Sequence, residues 1–438
     1  MPSAEFDPVT STAPLIVYLD YKSPYAYLAV DPTIAMADEL GIEVDWRPFT
    51  LDIPSYLGSA KLNQEGKVVE QNRTAGQWAA VKYAYHDVRR YGSLRGIIVR
   101  GTVKIWDSSL AGIGMLWAKA QGKAILLSYI HRTYEPFWKR ELDIEDVAAI
   151  ERILGESGAR THGFREYASG EGRALHDTIQ ARAFDVGIFG VPTYILDGGR
   201  FFGREHLPRI RWILTGRTGA PPDTAYEAPS VERASADVIA KRKLGVAIDF
   251  KSPYSYLAIA PTIAMAAELG ITIDWMPMTV SPSAIAAPGG TDRASRHKRY
   301  RTDYIERDLR RYLADRGITA TELNRPVDST LAALGLLWAK RQVPSQTQAY
   351  VQRVFDRYWR DSSNIADEHF VEASLAETGT AIAGFAAFAQ DEGRDELARI
   401  NSQLREMGSF DVPTFIYDDD IYLGRQHLPL LRARLCQA

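Results

Sequence analysis

The octapeptide at residues 22–29, KSPYAYLA, recurs at residues 251–258 as KSPYSYLA. Residues 45–48 and 274–277 also match each other at the same separation of 229 positions. Chance similarity does not produce several long matches in one order along a single chain. The repetition therefore predicts one domain written twice, and this constrains the fold more than any other feature.

Further matching blocks follow at a shorter separation of 221 positions. The first copy thus carries eight additional residues between positions 49 and 86, and we predict a longer loop over 55–69. The later blocks pair 89–91 with 310–312, 116–119 with 337–340, 191–193 with 412–414, and 203–208 with 424–429.

Each copy spans roughly 200 residues, which is enough for an independent hydrophobic core. Residues 216–232 contain three prolines together with Thr, Ser and Asp, a composition typical of linkers. The predicted organisation is a first repeat over 13–215, a linker over 216–242 and a second repeat over 243–438.

The composition is that of a soluble globular protein, with 46% hydrophobic and 24% charged residues. A net charge of −3 gives no reason to expect a nucleic-acid partner, and no apolar run long enough for a membrane span is present. We see no N-terminal signal peptide, and Cys436 is the only cysteine, which excludes disulfides within the chain. We therefore expect a cytoplasmic protein.

Both copies begin with the pattern of a strand, a helix and a second strand. In the first copy these are the apolar run 15–19, the periodic stretch 25–40 and the alternating segment 42–46. Residues 71–185 are predicted to be mainly helical, and 192–202 to form a hairpin before a closing helix near Glu205. The order predicts an α/β fold of two tandem thioredoxin-like domains, each with a helical insertion between βαβ and ββα.

Three segments of the first copy carry a family resemblance: 23–28 (SPYAYL), 189–193 (FGVPT) and 202–207 (FGREHL). Each copy resembles, over nearly its whole length, the DsbA-like family, and within it the 2-hydroxychromene-2-carboxylate isomerases and kappa-class glutathione transferases. The resemblance implies glutathione as cofactor and a small-molecule substrate, with no nucleic-acid or membrane partner. Because such proteins are commonly homodimers, it also implies an internal pseudo-dimer of the two repeats.

The Ser-Pro turn stands where redox members of the fold have Cys-x-x-Cys. Without a thiol there, dithiol–disulfide exchange is excluded. A hydroxyl at a helix N-terminus remains, a place that favours an anion. From the residues alone, we favour Ser23 as a helix cap. The resemblance instead implies that Ser23, and Ser252 in the second copy, are catalytic and hydrogen-bond the sulfur of glutathione.

The resemblance also implies a binding role for the Val-Pro dipeptides, Val191-Pro192 and Val412-Pro413. In this fold the proline is cis and faces the Ser-Pro turn, and the valine backbone pairs with the cysteinyl part of glutathione. The alternative is an ordinary proline in an edge strand.

At the start of the last helix, related families often have an Asp-Arg pair that holds the γ-glutamyl end of glutathione. The first copy has Glu205-His206 there and the second has Gln426-His427. Glu205 can bind an ammonium better than Gln426, and Arg204 and Arg425 can replace the missing arginine from one position away. The alternative for Glu205 is an acid stabilised by the helix dipole.

The remaining candidates surround the Ser-Pro turn. Lys22 and Lys251 can attract a substrate carboxylate, with a solvent-exposed lysine as the alternative, and Tyr25 and Tyr254 are also predicted to contact substrate. Asp107 is interpreted as a helix cap. Three further interpretations concern structure: Gly112 and Gly114 serve helix packing, the repeated Arg-Arg-Tyr is a solvated helix face, and the histidines lack the spacing of a metal site.

Taken together, the residues and the resemblance predict a glutathione-dependent isomerase of the 2-hydroxychromene-2-carboxylate type, acting on a conjugated aromatic or enone acid. Two alternatives stay open. One is a kappa-like glutathione transferase, since both reactions use the same thiolate, and the other is a non-catalytic binding or scaffold protein with this fold.

Overall fold

A computed structural model describes residues 6–63, 67–280, 290–319, 322–323 and 325–438. Contacts divide the chain into two compact units. The first comprises 1–218 together with 286–303, and the second comprises 219–285 together with 304–438. Within the described part of the chain, no helix combines the length and the apolar character needed to cross a bilayer.

The first unit contains a four-stranded sheet, a hairpin and nine complete helices among its described residues. In chain order they are β1 (Leu15–Leu19), α1 (Pro24–Leu40), β2 (Val44–Pro48), α2 (Pro54–Leu57), β3 (Ser59–Leu62), β4 (Val68–Asn72), α3 (Ala75–Ser93), α4 (Ser109–Lys119), α5 (Lys123–Trp138), α6 (Val147–Glu156), α7 (Phe164–Ser169), α8 (Glu171–Asp185), β5 (Thr193–Leu196), β6 (Gly199–Phe202) and α9 (Leu207–Leu214), with a 3-10 turn at Arg204–His206 before α9.

The sheet has the strand order β2-β1-β5-β6. β1 runs parallel to β2 and antiparallel to β5, which forms a hairpin with β6. All five side chains of β1 are buried. This agrees with its sequence, since a central strand that is covered on both faces is expected to be a continuous apolar run. This confirms the predicted βαβ, helices, ββα order.

Helix α1 begins and ends where the sequence indicates. Ser23 is its N-cap, Pro24 occupies its first position, and neither position needs an intrahelical N–H bond. The helix ends at Gly41, whose φ of +63° places it in the left-handed region that terminates helices.

The second unit repeats this architecture with the strand order β10-β9-β7-β8. Its elements are α10 (Ala236–Ile239), β7 (Lys243–Ile248), α11 (Pro253–Leu269), β8 (Thr272–Pro277), α12 (Arg293–Ala314), α13 (Thr330–Gln342), α14 (Thr347–Arg360), α15 (Glu368–Glu377), α16 (Phe385–Gln390), α17 (Glu392–Glu406), β9 (Thr414–Tyr417), β10 (Asp420–Leu423) and α18 (Leu428–Cys436), with 3-10 turns at Pro344–Gln346 and Arg425–His427. The residues of α12 up to Asp303 group with the first unit.

The segment predicted as a long loop over 55–69 is more regular than expected. It contains the end of α2 and the hairpin of β3 with β4, in which Ser59 lies opposite Asn72. The described strand residues of this hairpin are mostly exposed, so apolar periodicity gave no signal for it.

Glycines allow α4 to pack closely against α5, as interpreted from the sequence. A Cβ at Gly114 would overlap the hydroxyl of Tyr129, which donates to the Ala111 carbonyl at 2.9 Å. The second unit repeats the arrangement, since a Cβ at Gly335 would overlap the hydroxyl of Tyr350.

We predict that Gly114→Ala lowers the free energy of unfolding by about 1–3 kcal/mol, because the added methyl group forces Tyr129 away from α4. Gly76→Ala is the matched control, since a Cβ at that helical position meets nothing within 4 Å and should change stability by no more than about 1 kcal/mol. Urea unfolding measures both variants. Equal stability of the two would contradict the close contact.

Candidate active site

The two predicted catalytic serines lie at the starts of α1 and α11, and both are buried. The Oγ of Ser23 accepts the N–H of Ala26 at 3.2 Å, and the Oγ of Ser252 accepts the N–H of Ser255 at 3.2 Å. Each serine therefore caps its helix. A hydroxyl that accepts one hydrogen bond still has its own O–H to donate, so capping is compatible with binding an anion.

The peptide bonds Val191–Pro192 and Val412–Pro413 are both cis, as predicted. In the first unit, Tyr18 of β1 lies opposite Thr193 of β5. Because β1 and β5 are antiparallel, the end of β1 and the start of β5 lie at the same edge of the sheet. The fold thus brings the Ser23 turn and the Val-Pro dipeptide of the first copy to one edge, and the same register is repeated in the second unit.

The residue before the Val-Pro dipeptide differs between the copies. Asp411 accepts the backbone N–H of Val412 with its own carboxylate at 2.8 Å. Its counterpart is Gly190, where a Cβ would come within 2.6 Å of the Phe202 ring. The second copy therefore occupies the N–H of its valine with its own chain, whereas the first copy has no side chain at this position.

Lys22 is buried, so the solvent-exposed alternative is wrong for this lysine. Its ammonium donates to the Trp106 carbonyl at 3.1 Å and lies 4.0 Å from the Asp20 carboxylate. Lys251 is more accessible, with its ammonium 3.5 Å from Asp249. Both lysines thus lie beside the Ser-Pro turn, and Lys22 is engaged in holding it.

Tyr25 joins a buried polar cluster that the sequence did not reveal. Its hydroxyl donates to the Asp87 carboxylate at 3.3 Å, and Arg90 donates to the other oxygen of Asp87 at 2.9 Å. The guanidinium of Arg204 lies over the ring of Tyr91, 4.6 Å from its centroid. The cluster connects α1, α3 and the turn before α9.

Burial dominates the ionisation of this cluster. It raises the pKa of Asp87 to about 6, although Arg90 and Arg204 act in the opposite direction. Burial and the nearby charge of Asp87 hold the pKa of Tyr25 well above its usual range. Tyr25 is therefore a neutral phenol at physiological pH and serves as a hydrogen-bond donor.

The repeated Arg-Arg-Tyr was predicted to be a solvated helix face, and this interpretation is wrong. Arg90 and Tyr91 are both buried in the first unit. In the second unit, Arg311 donates to Asp308 at 2.7 Å, and Arg425 lies over the ring of Tyr312 at 4.8 Å. The available signal was the acid three residues before the second arginine in both copies, which predicts an ion pair along one helix.

In the turns before α9 and α18, the histidine and the residue before it lie in different environments. His206 and His427 are buried and lie against aromatic rings of their own hairpins, so they belong to the interior. The carboxylate of Glu205 folds over Gly203. Gln426 takes the same position and donates to the Leu423 carbonyl at 2.8 Å.

His297 is a residue that sequence reasoning missed. It belongs to the segment of α12 that groups with the first unit, and it is 7% exposed. Its ring stacks on Tyr56 at 4.2 Å between centroids and lies edge-on to Phe189 at 5.7 Å. Since Phe189 precedes the Val-Pro dipeptide, these rings form an aromatic wall beside the candidate site. Because His297 is far from Tyr56 and Phe189 in sequence, local patterns gave no indication of this contact.

The two repeats match the model of the DSBA-like thioredoxin domain over residues 14–214 and 244–436. The chain therefore belongs to the DSBA-like thioredoxin domain family.

Three similar proteins extend the comparison, each over about the length of one repeat. A 2-hydroxychromene-2-carboxylate isomerase of Sphingobium xenophagum is 26% identical over 190 residues, 43% of this chain and 94% of that protein. One of Pseudomonas putida is 26% identical over 195 residues, 43% of this chain and 93% of that protein. A solved 2-hydroxychromene-2-carboxylate isomerase is 24% identical, with a TM-score of 0.36 over 44% of this chain and 94% of its own.

We predict that His297 makes the protein less stable at acidic pH. Burial lowers its pKa to about 4 in the folded protein, whereas the unfolded chain binds the proton with a pKa of about 6.5. Between these values the unfolded state holds more protons, so the free energy of unfolding falls as the pH is lowered.

Urea unfolding at about pH 7 and about pH 4.5 measures the effect. The loss of stability between the two pH values should be smaller in His297→Gln than in the wild type. His162→Gln is the control, because His162 is exposed. An unchanged pH dependence in His297→Gln would contradict the prediction.

Proposed function

We propose that this protein is a glutathione-dependent isomerase of the 2-hydroxychromene-2-carboxylate type and that the first repeat is its principal active site. The observation that carries the proposal is the hydroxyl of Ser23 at the start of α1, at the same sheet edge as the cis Val191–Pro192 bond. Curated relatives that are 26% identical over one repeat and are named as such isomerases support the reaction type.

The residues of the first repeat fit glutathione by chemical type. Ser23 offers an O–H donor next to the positive end of the α1 dipole, which suits a thiolate. The Val191 backbone would pair with the cysteinyl part. Glu205 supplies a carboxylate for the ammonium of the γ-glutamyl end, and Arg204 supplies a cation for a carboxylate.

When bound, glutathione supplies a thiolate nucleophile that adds reversibly to a conjugated acid. Ser23 would donate its O–H to the sulfur and thereby favour the charged form at neutral pH. Tyr25, held protonated by burial, keeps Asp87 and the start of α1 in place. The aromatic wall of Tyr56, His297 and Phe189 would exclude water from one side of a planar substrate.

Two differences favour the first repeat over the second. Asp411 occupies the N–H of Val412, whereas the first copy has Gly190 at this position. Gln426 is neutral, so it offers the ammonium of a ligand a weaker partner than the carboxylate of Glu205. Because both differences weaken ligand contacts, they favour a non-catalytic scaffold role as the second candidate for the second repeat.

We predict that Ser23→Ala lowers the isomerisation rate roughly 10²-fold, the scale expected when one preorganised donor to a charged sulfur is lost. The variant should also raise the pKa of the bound glutathione thiol, measured by the ultraviolet absorbance of the thiolate. The assay uses 2-hydroxychromene-2-carboxylate as the substrate and glutathione as the cofactor.

Ser252→Ala is the matched control, because it removes the same helix cap, and each substitution should cost about 1 kcal/mol of stability. It should leave the rate nearly unchanged. A large loss in Ser252→Ala with Ser23→Ala active would assign catalysis to the second repeat. Full activity of both variants would rule out the thiolate role of the serines.

A further inference from the structure

The carboxylate of Asp223, in the linker, lies between two arginines of the second unit. Its Oδ1 accepts the Nε–H of Arg425 at 2.8 Å, and its Oδ2 accepts an N–H of Arg316 at 2.8 Å. The side chain of Arg425 is only 6% exposed, and that of Asp223 is 31% exposed. This is a two-point, charge-assisted clamp on one carboxylate.

The clamp lies beside the candidate site of the second repeat. Arg425 opens the 3-10 turn at Arg425–His427, which packs against α11, the helix capped by Ser252. Arg316 is close enough to Tyr256, in the first turn of α11, to affect its pKa. The stacking of Arg425 on the Tyr312 ring further fixes the direction of the guanidinium.

A second linker residue holds the same turn. The backbone N–H of Tyr226 donates to the Gln426 carbonyl at 2.8 Å, and its buried ring lies edge-on to His427 at 5.1 Å between centroids. Together, Asp223 and Tyr226 contact all three residues of this turn, of which the sequence resemblance assigned Arg425 to ligand binding.

The first unit contains counterparts of both arginines. Arg95, the counterpart of Arg316, donates to the Leu28 carbonyl at 2.7 Å and lies 3.6 Å from Asp31. Arg204, the counterpart of Arg425, lies over Tyr91. The carboxylate that completes the clamp of the second unit comes from the linker, outside both repeats.

We propose that Arg425 and Arg316 form a binding site for the carboxylate of a small organic acid and that Asp223 is its built-in occupant. Asp411 on the Val412 N–H is a second place where the chain fills a ligand-binding position of this repeat by itself. We call the second repeat a masked copy, because residues of the chain itself occupy these two positions. That glutathione is one such acid rests on the proposed function, whereas the masking rests on the contacts alone.

The test measures the reactivity of the two arginines toward phenylglyoxal, read by mass spectrometry of the peptides that contain them. In Asp223→Ala, Arg425 should react about tenfold faster than in the wild type, equivalent to about 1.4 kcal/mol of lost protection. Asp237→Ala is the matched control, because Asp237 is an exposed linker acid. Thermal unfolding of each variant verifies that it is folded, and Asp223→Asn should give a smaller increase.

The ligand class is tested by adding benzoate or glutathione to Asp223→Ala before the reaction. Protection of Arg425 by benzoate supports the carboxylate site. An unchanged rate in Asp223→Ala, or a faster rate that neither acid reduces, overturns the proposal. Protection by benzoate but not by glutathione supports the masked site and contradicts glutathione as the ligand of this repeat.

Discussion

The buried carboxylate of Asp20 holds the turn on which the first candidate site depends. It accepts the backbone N–H groups of Lys22 at 3.1 Å and Leu51 at 2.7 Å, and so it ties the end of β1 to the segment after β2. The Asp20 carbonyl in turn accepts the hydroxyl of Tyr134 from the helical insertion at 2.9 Å. The position of Ser23 is therefore fixed by Asp20, because the sheet, the turn and the inserted helices all contact this aspartate.

The second unit preserves this frame. Asp249 accepts the N–H groups of Lys251 at 3.2 Å and Val280 at 2.9 Å. The ion pairs that connect the insertion to the sheet are also duplicated, since Lys119 pairs with Asp45 and Lys340 with Asp274. Interactions that build the domain are thus shared by both copies.

The copies differ in the groups that would face a ligand. Gly190 corresponds to Asp411, and Glu205 corresponds to Gln426. Gly190 is buried and precedes β5, and Glu205 follows β6; the two sheets nevertheless have equivalent strand orders. The two copies thus keep one architecture while they differ in residues next to the candidate site.

Local sequence was sufficient to predict the start of α1 and the order of strands and helices along the chain, whereas the cis prolines were predicted from the family resemblance. A serine followed by proline specifies a cap through its own side chain and the ring of the next residue. The exposed hairpin of β3 and β4 lacks a regular alternation of apolar and polar residues, so the sequence pattern did not predict these two strands.

The parts of the site that sequence reasoning missed depend on contacts between distant segments. Tyr25 and Asp87 are 62 positions apart in sequence, separated by most of α1, by β2 and α2, and by the hairpin of β3 and β4. His297 reaches Tyr56 and Phe189 from the other copy of the repeat. For Tyr25 and His297, nothing within a short window of sequence distinguishes a buried polar residue from a solvated one, because burial is decided by the tertiary partner.

Electrostatics explains why the arginine pair of the second repeat needs an occupant. Burial lowers the pKa of Arg316, and the charge of Arg425 lowers it further, whereas the carboxylate of Asp223 raises it. Two guanidinium groups this close are unfavourable when partly removed from water unless an anion lies between them. Because the linker acid is covalently attached, it is always available and loses less freedom on binding than a free acid would. A free acid can therefore occupy the pair only when its own contacts in the second repeat outweigh this tethered carboxylate.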